Sequence, residues 1–223
     1  IVYRGIGNIK YLNNKIGKEL YEIKDKQFDT WLNFLIYCEE NLSLNSRQFE
    51  ILICLNFFEE FGGNKKLLEF FKEFTDGKNK YKKTLTDKSK QKRIPNLFKI
   101  LNDLHDCKYN IKEQIDFQNK YIGHIEGTFS VDKRYIYIQD LNIKYSPRLE
   151  AYSLGTGKNQ VLKIQKKIFA NKPFEKNDII YCNRFEEKPA MSYKDGEWVP
   201  NQDKKEWWLT SYELVKNYES LFK

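Results

Sequence analysis

The chain has little of what metal and nucleophile chemistry needs. Its 223 residues include two histidines, His105 and His124, and each stands apart from any Cys or Asp that could complete a catalytic pair. The four cysteines, Cys38, Cys54, Cys107 and Cys182, contain no C-x-x-C pair, so zinc spacing is absent. They read as reduced, mostly buried thiols of a cytoplasmic protein. No apolar run approaches the length of a membrane span, and no secretory leader is recognisable, so no membrane partner is expected. An initiator Met is absent too, and residue 1 already stands inside a motif, which leads us to expect a fragment of a longer chain.

Two phosphate-loop motifs are also absent. "GIGNIK" lacks the third glycine of G-x-G-x-x-G, and no strand precedes it. "YSLGTGKN" resembles the tail of a Walker A loop, but Tyr152 stands where the first glycine belongs and Asn159 replaces the magnesium-binding Ser or Thr. Gly155–Lys158 therefore reads as a hairpin turn. Carboxylates are plentiful, yet no closely spaced Asp pair on a strand resembles a two-metal site. "DKKEW" and "FEEK" read as solvated charge. No catalytic residue, metal ligand or cofactor is expected in this segment.

What the chain does have is aromatic side chains, at 16%, and a net charge of +8. A basic balance favours an anionic partner, most commonly nucleic acid. The charge is concentrated. Residues 76–93 carry eight basic and two acidic side chains, net +6, whereas residues 1–75 sum to −1.

The first half reads helical. Phe28, Trp31, Leu32 and Leu35 fall at helical spacing. Asn45 or Ser46 can cap a helix through Phe49, Leu52, Ile53 and Leu55, and Gly62–Gly63 break the chain before Asn64 caps the next. The stretch 76–93 has almost no apolar periodicity and reads as an exposed, mobile connector. Pro95 reads as the start of a helix with Leu97, Leu101 and Leu104 on one face, and Ile111, Ile115 and Ile122 mark another. After Gly127 the period changes to two. "KRYIYIQDL", "PRLEAYSL", "QVLKIQKKIF", "DIIYCNRF" and "EWWLTSYEL" read as short strands separated by turn signals. The expected fold is segregated α+β, a helical region followed by a small barrel of about five strands. The expected organisation is a DNA-binding helical region over 1–75, a basic connector with linking helices over 76–129, a β domain over 130–212 and a tail over 213–223.

The motif "YRGIGNIKYL" poses a specific choice. Gly5 and Gly7 flank Ile6 ahead of a helical-looking run. Helix-hairpin-helix modules use such turns to hold DNA backbone without reading sequence, with Ile6 anchored in the core. Gly5, Gly7, Asn8 and Lys10 would then face a phosphate, and a tight αα turn is the alternative. A second turn, "LNFFEEFGGNKKLL", would bring Asn64, Lys65 and Lys66 to a helix start, with Asn56 able to adopt the left-handed conformation. In the β unit Tyr137, Tyr152, Trp198, Trp207 and Trp208 could offer stacking faces, and Lys163, Lys166 and Lys167 could follow phosphates, while alternation directs half of the aromatics inward.

Together these residues resemble the C-terminal part of the bacterial replicative DNA polymerase III alpha subunit. "RGIGNIKYLNNKI", "FDTWLNFL" and "LNSRQFEILICLNFFEEFGGNKKLL" follow that family's tandem helix-hairpin-helix region, "IKEQIDFQNKYIG" is similar to its acidic-aromatic helix, and the β unit stands where the family carries an OB-fold. The resemblance implies that Gly5, Gly7 and the Asn64–Lys66 turn touch duplex DNA and that the β unit handles single strand, for which the β unit's own residues offer Tyr152, Lys163 and Lys166 as candidates. The catalytic palm is not in this chain, so the family's nucleotidyltransferase chemistry falls on no residue here. Asn56 replaces the family's usual glycine, and its later His-Pro step is absent from "IEGTF". The resemblance also implies a sliding-clamp peptide, for which "QKRIPNLF" (Gln91–Phe98) is the candidate, and other replisome partners. Alternatives are a stand-alone phage- or plasmid-type DNA-binding accessory protein and a replisome protein-interaction scaffold.

Overall fold

The computed structural model describes residues 5–218, so Tyr3 and Arg4 of the opening motif and the end of the expected tail lie outside the described residues. The chain divides into two units, with the boundary between His124 and Ile125.

Side-chain caps define where most helices of the first unit begin. Asn13 accepts the N–H of Ile16 at 3.0 Å and starts α1, Asn14–Glu22. Thr30 does the same for Asn33 ahead of α2, Trp31–Asn41. Asn45 and Gln48 form a reciprocal capping box at α3, Ser46–Cys54. Helix α4, Asn64–Asp76, follows Gly63; α5 spans Asp87–Asp103 behind Thr86, and α6, Ile111–Tyr121, opens on a second capping box, Asn110 with Glu113. Their apolar faces meet in one core around Trp31, Phe34, Phe49, Phe70 and Phe71. The Trp31 ring lies 5.4 Å from Phe34 and 5.1 Å from Phe58, close enough for specific ring–ring contact as well as burial.

Three sequence expectations change here. Asn64 is not the cap of α4. Gly63 occupies that position, and the Asn64 side chain is buried, its Oδ1 accepting the N–H of Tyr109 at 3.0 Å. Residues 76–93 are not a mobile connector. Tyr81 is buried against Phe74, with ring centroids 5.5 Å apart, and its hydroxyl donates to Glu40 at 2.6 Å. Lys90 reaches the same carboxylate at 2.7 Å, and Arg93 donates to the carbonyl of Lys80. Helix α5 accordingly begins at Asp87, and Pro95 sits inside it rather than at its start. Proline there removes one intrahelical bond, to the carbonyl of Gln91. Gln91 is exposed, so water can satisfy that carbonyl, and the buried Leu97 and Leu101 hold the helix in place.

The second unit is built of β1 (Tyr135–Asn142), β2 (Arg148–Ser153), β3 (Lys158–Ile164), β4 (Ile179–Lys194) and β5 (Glu197–Leu214). They close into a barrel in the order β1-β2-β3-β5-β4. All neighbours are antiparallel except β3 and β5, which are parallel. Inside are Ile136, Ile138, Leu149, Ala151, Leu162, Ile164, Ile180 and Leu209. Bulges in β1 and β4 bend the strands as closure requires. The expected third strand is shorter than its sequence pattern. "QKKIF" turns instead into a short helix, α7, Lys166–Asn171. Phe169 of α7 packs edge-on against Phe174, which in turn meets Tyr212 of β5. The fold is thus α+β, with the helices mostly N-terminal and the strands C-terminal.

Strands β4 and β5 run well beyond the barrel. β3 pairs β5 only at Trp207–Leu209, and from Lys188↔Glu206 to Lys194↔Glu197 the two long strands pair only with each other. The ribbon turns at Asp195–Gly196, both at positive φ, the backbone that a two-residue hairpin matched to strand twist requires.

Candidate nucleic-acid interface

At both glycine turns part of the donor set that the sequence offered to a phosphate is spent within the chain. At the first, Ile6–Asn8 make a single 3-10 turn, and the next helix begins only at Asn14. Ile6 does pack against the core. The N–H groups of Asn8, Ile9 and Lys10 donate to Gly5, Ile6 and Tyr121, so none of the three is free for an anion. A Cβ on Gly7 would stand 2.0 Å from Asn14 Oδ1, the end of a side chain that can turn away, and 3.5 Å from the backbone of α1. Gly5 has open space around it and shares a groove with Ile6, Leu20 and Tyr21. Asn8 and Lys10 are exposed at this turn, with no helix start beside them.

At the second turn the chain itself takes two of the donors that a phosphate would use. Helix α4 offers its N-terminus, but the Asp106 carboxylate accepts the N–H of Gly63 at 2.7 Å and the Cys107 carbonyl accepts that of Lys66 at 3.3 Å. A carboxylate at a helix N-terminus satisfies the same donors and dipole that a phosphate would. A Cβ on Gly63 would lie 2.2 Å from the Cys107 oxygen, so the segment carrying Asp106 sits directly on the turn. Asn64 is buried and hydrogen-bonded within the fold, and its side chain is not available to DNA. Lys65 is exposed, while Lys66 is half-buried beside Trp31 and Phe61. Asn56 does adopt the left-handed conformation, at φ 63°.

In the barrel Tyr152 is corrected as well. Only 2% of its surface is exposed, and its hydroxyl donates to the Gly127 carbonyl at 2.6 Å, so it cannot stack on a base. Tyr137 is buried likewise, donating to Asn177. Lys163 points outward between the buried Leu162 and Ile164, and Lys166 is exposed at the start of α7. Of the tryptophans, Trp198 and Trp207 are exposed and Trp208 is half-buried.

The register gathers several side chains at one end of the barrel. Asn142 pairs with Arg148, Arg148 with Lys163, Lys163 with Trp208, and Trp208 with Glu186, a row crossing all five strands. From this row leave both the β1–β2 loop, 143–147, and the β4–β5 ribbon. The loop carries Lys144 and Tyr145, the latter 73% exposed. The Lys163 and Lys188 ammonium groups stand 5.7 and 5.5 Å from the Trp208 ring centroid, which makes Trp208 an aromatic face between two cations. Lys163 also meets Glu206 at 2.7 Å, and Lys188 meets Glu186 at 3.3 Å. Carboxylates therefore temper the positive charge, while Arg148 is exposed and ion-paired to none of the described residues. Arg148, Tyr145 and Lys188 escaped the sequence reading. A strand start, a turn and a mid-strand lysine carry no local signal, and only pairing across strands brings them beside Trp208.

Among the described residues no three His, Cys, Asp or Glu side chains come together as a metal site, and no helix is long and apolar enough to cross a membrane. Burial raises Cys38 and Cys182 to about 12 and Cys54 to about 11, which leaves them inert as thiols at neutral pH. The segment Gln91–Phe98 is helical, and Leu97 lies in the core. It does not present the paired Leu and Phe of an extended clamp peptide. No protein-family model matches the chain, and no curated protein matches it.

Proposed function

We propose that the chain is a nucleic-acid-binding region of the replicative polymerase alpha-subunit type, in which the barrel is an OB-like domain that holds single-stranded DNA and performs no chemistry of its own. The observation that carries the reading is the row Arg148–Lys163–Trp208 at the end of the barrel from which the β1–β2 loop and the ribbon depart. OB-type domains bind oligonucleotides on the strand 2–3 face between these two connections. Here that region offers cations for phosphates and rings for bases, the two components of a single-strand site. The polymerase assignment rests on the resemblance in "RGIGNIKYLNNKI" and "LNSRQFEILICLNFFEEFGG" together with the order of a helical unit before a barrel.

A second reading, docking of another replication protein, is favoured by the ribbon tip. Met191, Tyr193, Trp198 and Pro200 lie on one face of it, and residues 186–206 carry six acidic against four basic side chains.

The test is oligo-dT binding by the full chain, followed through tryptophan quenching, with Tyr145→Ala and Trp208→Ala variants. A stacked base is worth about 1–3 kcal/mol, so each variant should bind roughly 5- to 150-fold more weakly if its ring stacks. Unchanged affinity in both folded variants overturns the assignment of this face, and a parent chain that binds no oligo-dT at all favours the second reading.

A further inference from the structure

We infer that the helical unit holds the sugar–phosphate backbone of duplex DNA through a surface made by Lys78–Lys83 and the first two turns of α5, rather than through either glycine turn. The inference rests on the reading of the chain as a nucleic-acid binder and locates its duplex contact.

Charge is the first observation. Residues 76–93 account for +6 of the net +8 of the whole chain. Of their eight cations, Lys90 alone is ion-paired among the described residues, to Glu40. Lys78, Lys80, Lys82, Lys83, Lys88 and Lys92 are exposed. The carboxylates nearest in sequence are Asp76 and Asp87. From α2, Glu39 accepts the backbone N–H of Lys83 at 3.4 Å, and Glu40 is occupied by Tyr81 and Lys90.

Order is the second. A flexible basic tail loses conformational entropy when it binds, whereas a surface already fixed does not. Three ties fix this one. The Tyr81 ring is buried on Phe74, Arg93 bonds back to the Lys80 carbonyl, and Asn96 meets Asn79 at 3.3 Å. Thr86 caps α5 at its centre, adding the positive end of a 17-residue helix to the field of the lysines.

The kind of strand follows from what the surface lacks. Single-strand sites combine cations with aromatic faces, whereas a duplex hides its base faces and presents phosphates. The one aromatic residue in 78–93 is Tyr81, and it is buried. The surface can contact phosphates and cannot stack on bases, the reverse of the barrel row with its Trp208.

The experiment measures binding of the full chain to a duplex and to oligo-dT across a salt series. It compares the parent with a Lys82→Ala, Lys83→Ala, Lys88→Ala, Lys92→Ala variant and with the same four positions changed to Arg. All four side chains are exposed, and circular dichroism reports whether the helices persist. For duplex, the Ala variant should lose about 10²–10³-fold in affinity near 0.1 M salt, with a log–log salt slope smaller by about three to four, and the Arg variant should restore both. Oligo-dT affinity should change several-fold less. Duplex affinity and slope equal to the parent overturn the inference, as does an equal loss on both ligands. So does a parent that binds dT but no duplex, a result that leaves the single-strand reading standing. A parent that binds neither removes both readings. Anionic phosphatidylserine vesicles form a further arm, and lysine-dependent retention on them without duplex binding overturns the inference in favour of a lipid surface.

Discussion

The segment 78–93 of the helical unit and the barrel row at Trp208 are both rich in lysine, yet they hold their charge differently. In the first, seven of eight cations have no ion pair among the described residues and no aromatic ring is offered. In the second, Lys163 and Lys188 are matched by Glu206 and Glu186 with an indole near both, and Arg148 is the cation left unpaired among the described residues. Bare cations bind by releasing counterions, so their affinity falls steeply with salt. Cations already held by carboxylates release less, and the ring must supply more of the binding. On the proposed reading one chain would carry a strongly salt-dependent surface and a less salt-dependent one, a distinction that composition alone does not make.

Three substitutions break or sharpen this contrast. The largest effect is expected from Leu209→Ala. Leu209 is fully buried in the barrel, next to Trp208 on β5, and its truncation should cost about 2–5 kcal/mol in denaturant unfolding followed by tryptophan emission. Single-strand affinity should drop with it while duplex affinity persists; a parallel loss of both would mean that the two surfaces do not act separately.

Gly63→Ala should come next, at about 1–3 kcal/mol, because the new Cβ would meet the Cys107 backbone. Helical melting by circular dichroism checks it, and duplex binding should survive. A variant as stable as the parent that nevertheless loses duplex binding would return the phosphate contact to the glycine turn.

The smallest effect concerns Asp132, held down to about 2 chiefly by hydrogen bonds from the Arg134 guanidinium. A carboxylate depressed in the folded state contributes stability above its ordinary value near 3.8. That contribution is lost as pH falls from about 4 toward 2. Asp132→Asn should therefore lower barrel stability slightly at pH 6 and flatten its acid dependence between those values. The pair is partly exposed, which keeps the effect small. An acid profile identical to the parent's would show that the pair contributes nothing.

Local chemistry made much of the fold legible. Asn45, one of two caps the sequence offered, marked one helix start, and alternation after Gly127 marked the strands. Those signals lie within a few residues, where capping and periodicity act. The errors share a cause. Tyr81 looked like one aromatic in a polar connector until Phe74 and Glu40, both distant or out of phase in sequence, received it. "QKKIF" carried strand-like residues, yet in the structure it is the helix that packs Phe169 on Phe174. The candidate sites fared worse than the fold. Gly63 and Asn64 look the same in sequence whether an external phosphate or Asp106, 43 residues away, satisfies the helix end. Tyr152 and Trp208 look equally able to stack until packing buries one.

By itself the sequence determined the segregation of helices from strands, the excess of positive charge and its concentration in residues 76–93, because patterning and charge are properties of the chain in any conformation. Tertiary structure alone decided which donors are spent and which remain. The Asp106 carboxylate on α4, the Tyr81 ring under the lysines and the row from Arg148 to Trp208 all join residues far apart in the chain, and a hydrogen bond or a buried face exists only once its distant partner has been brought to it.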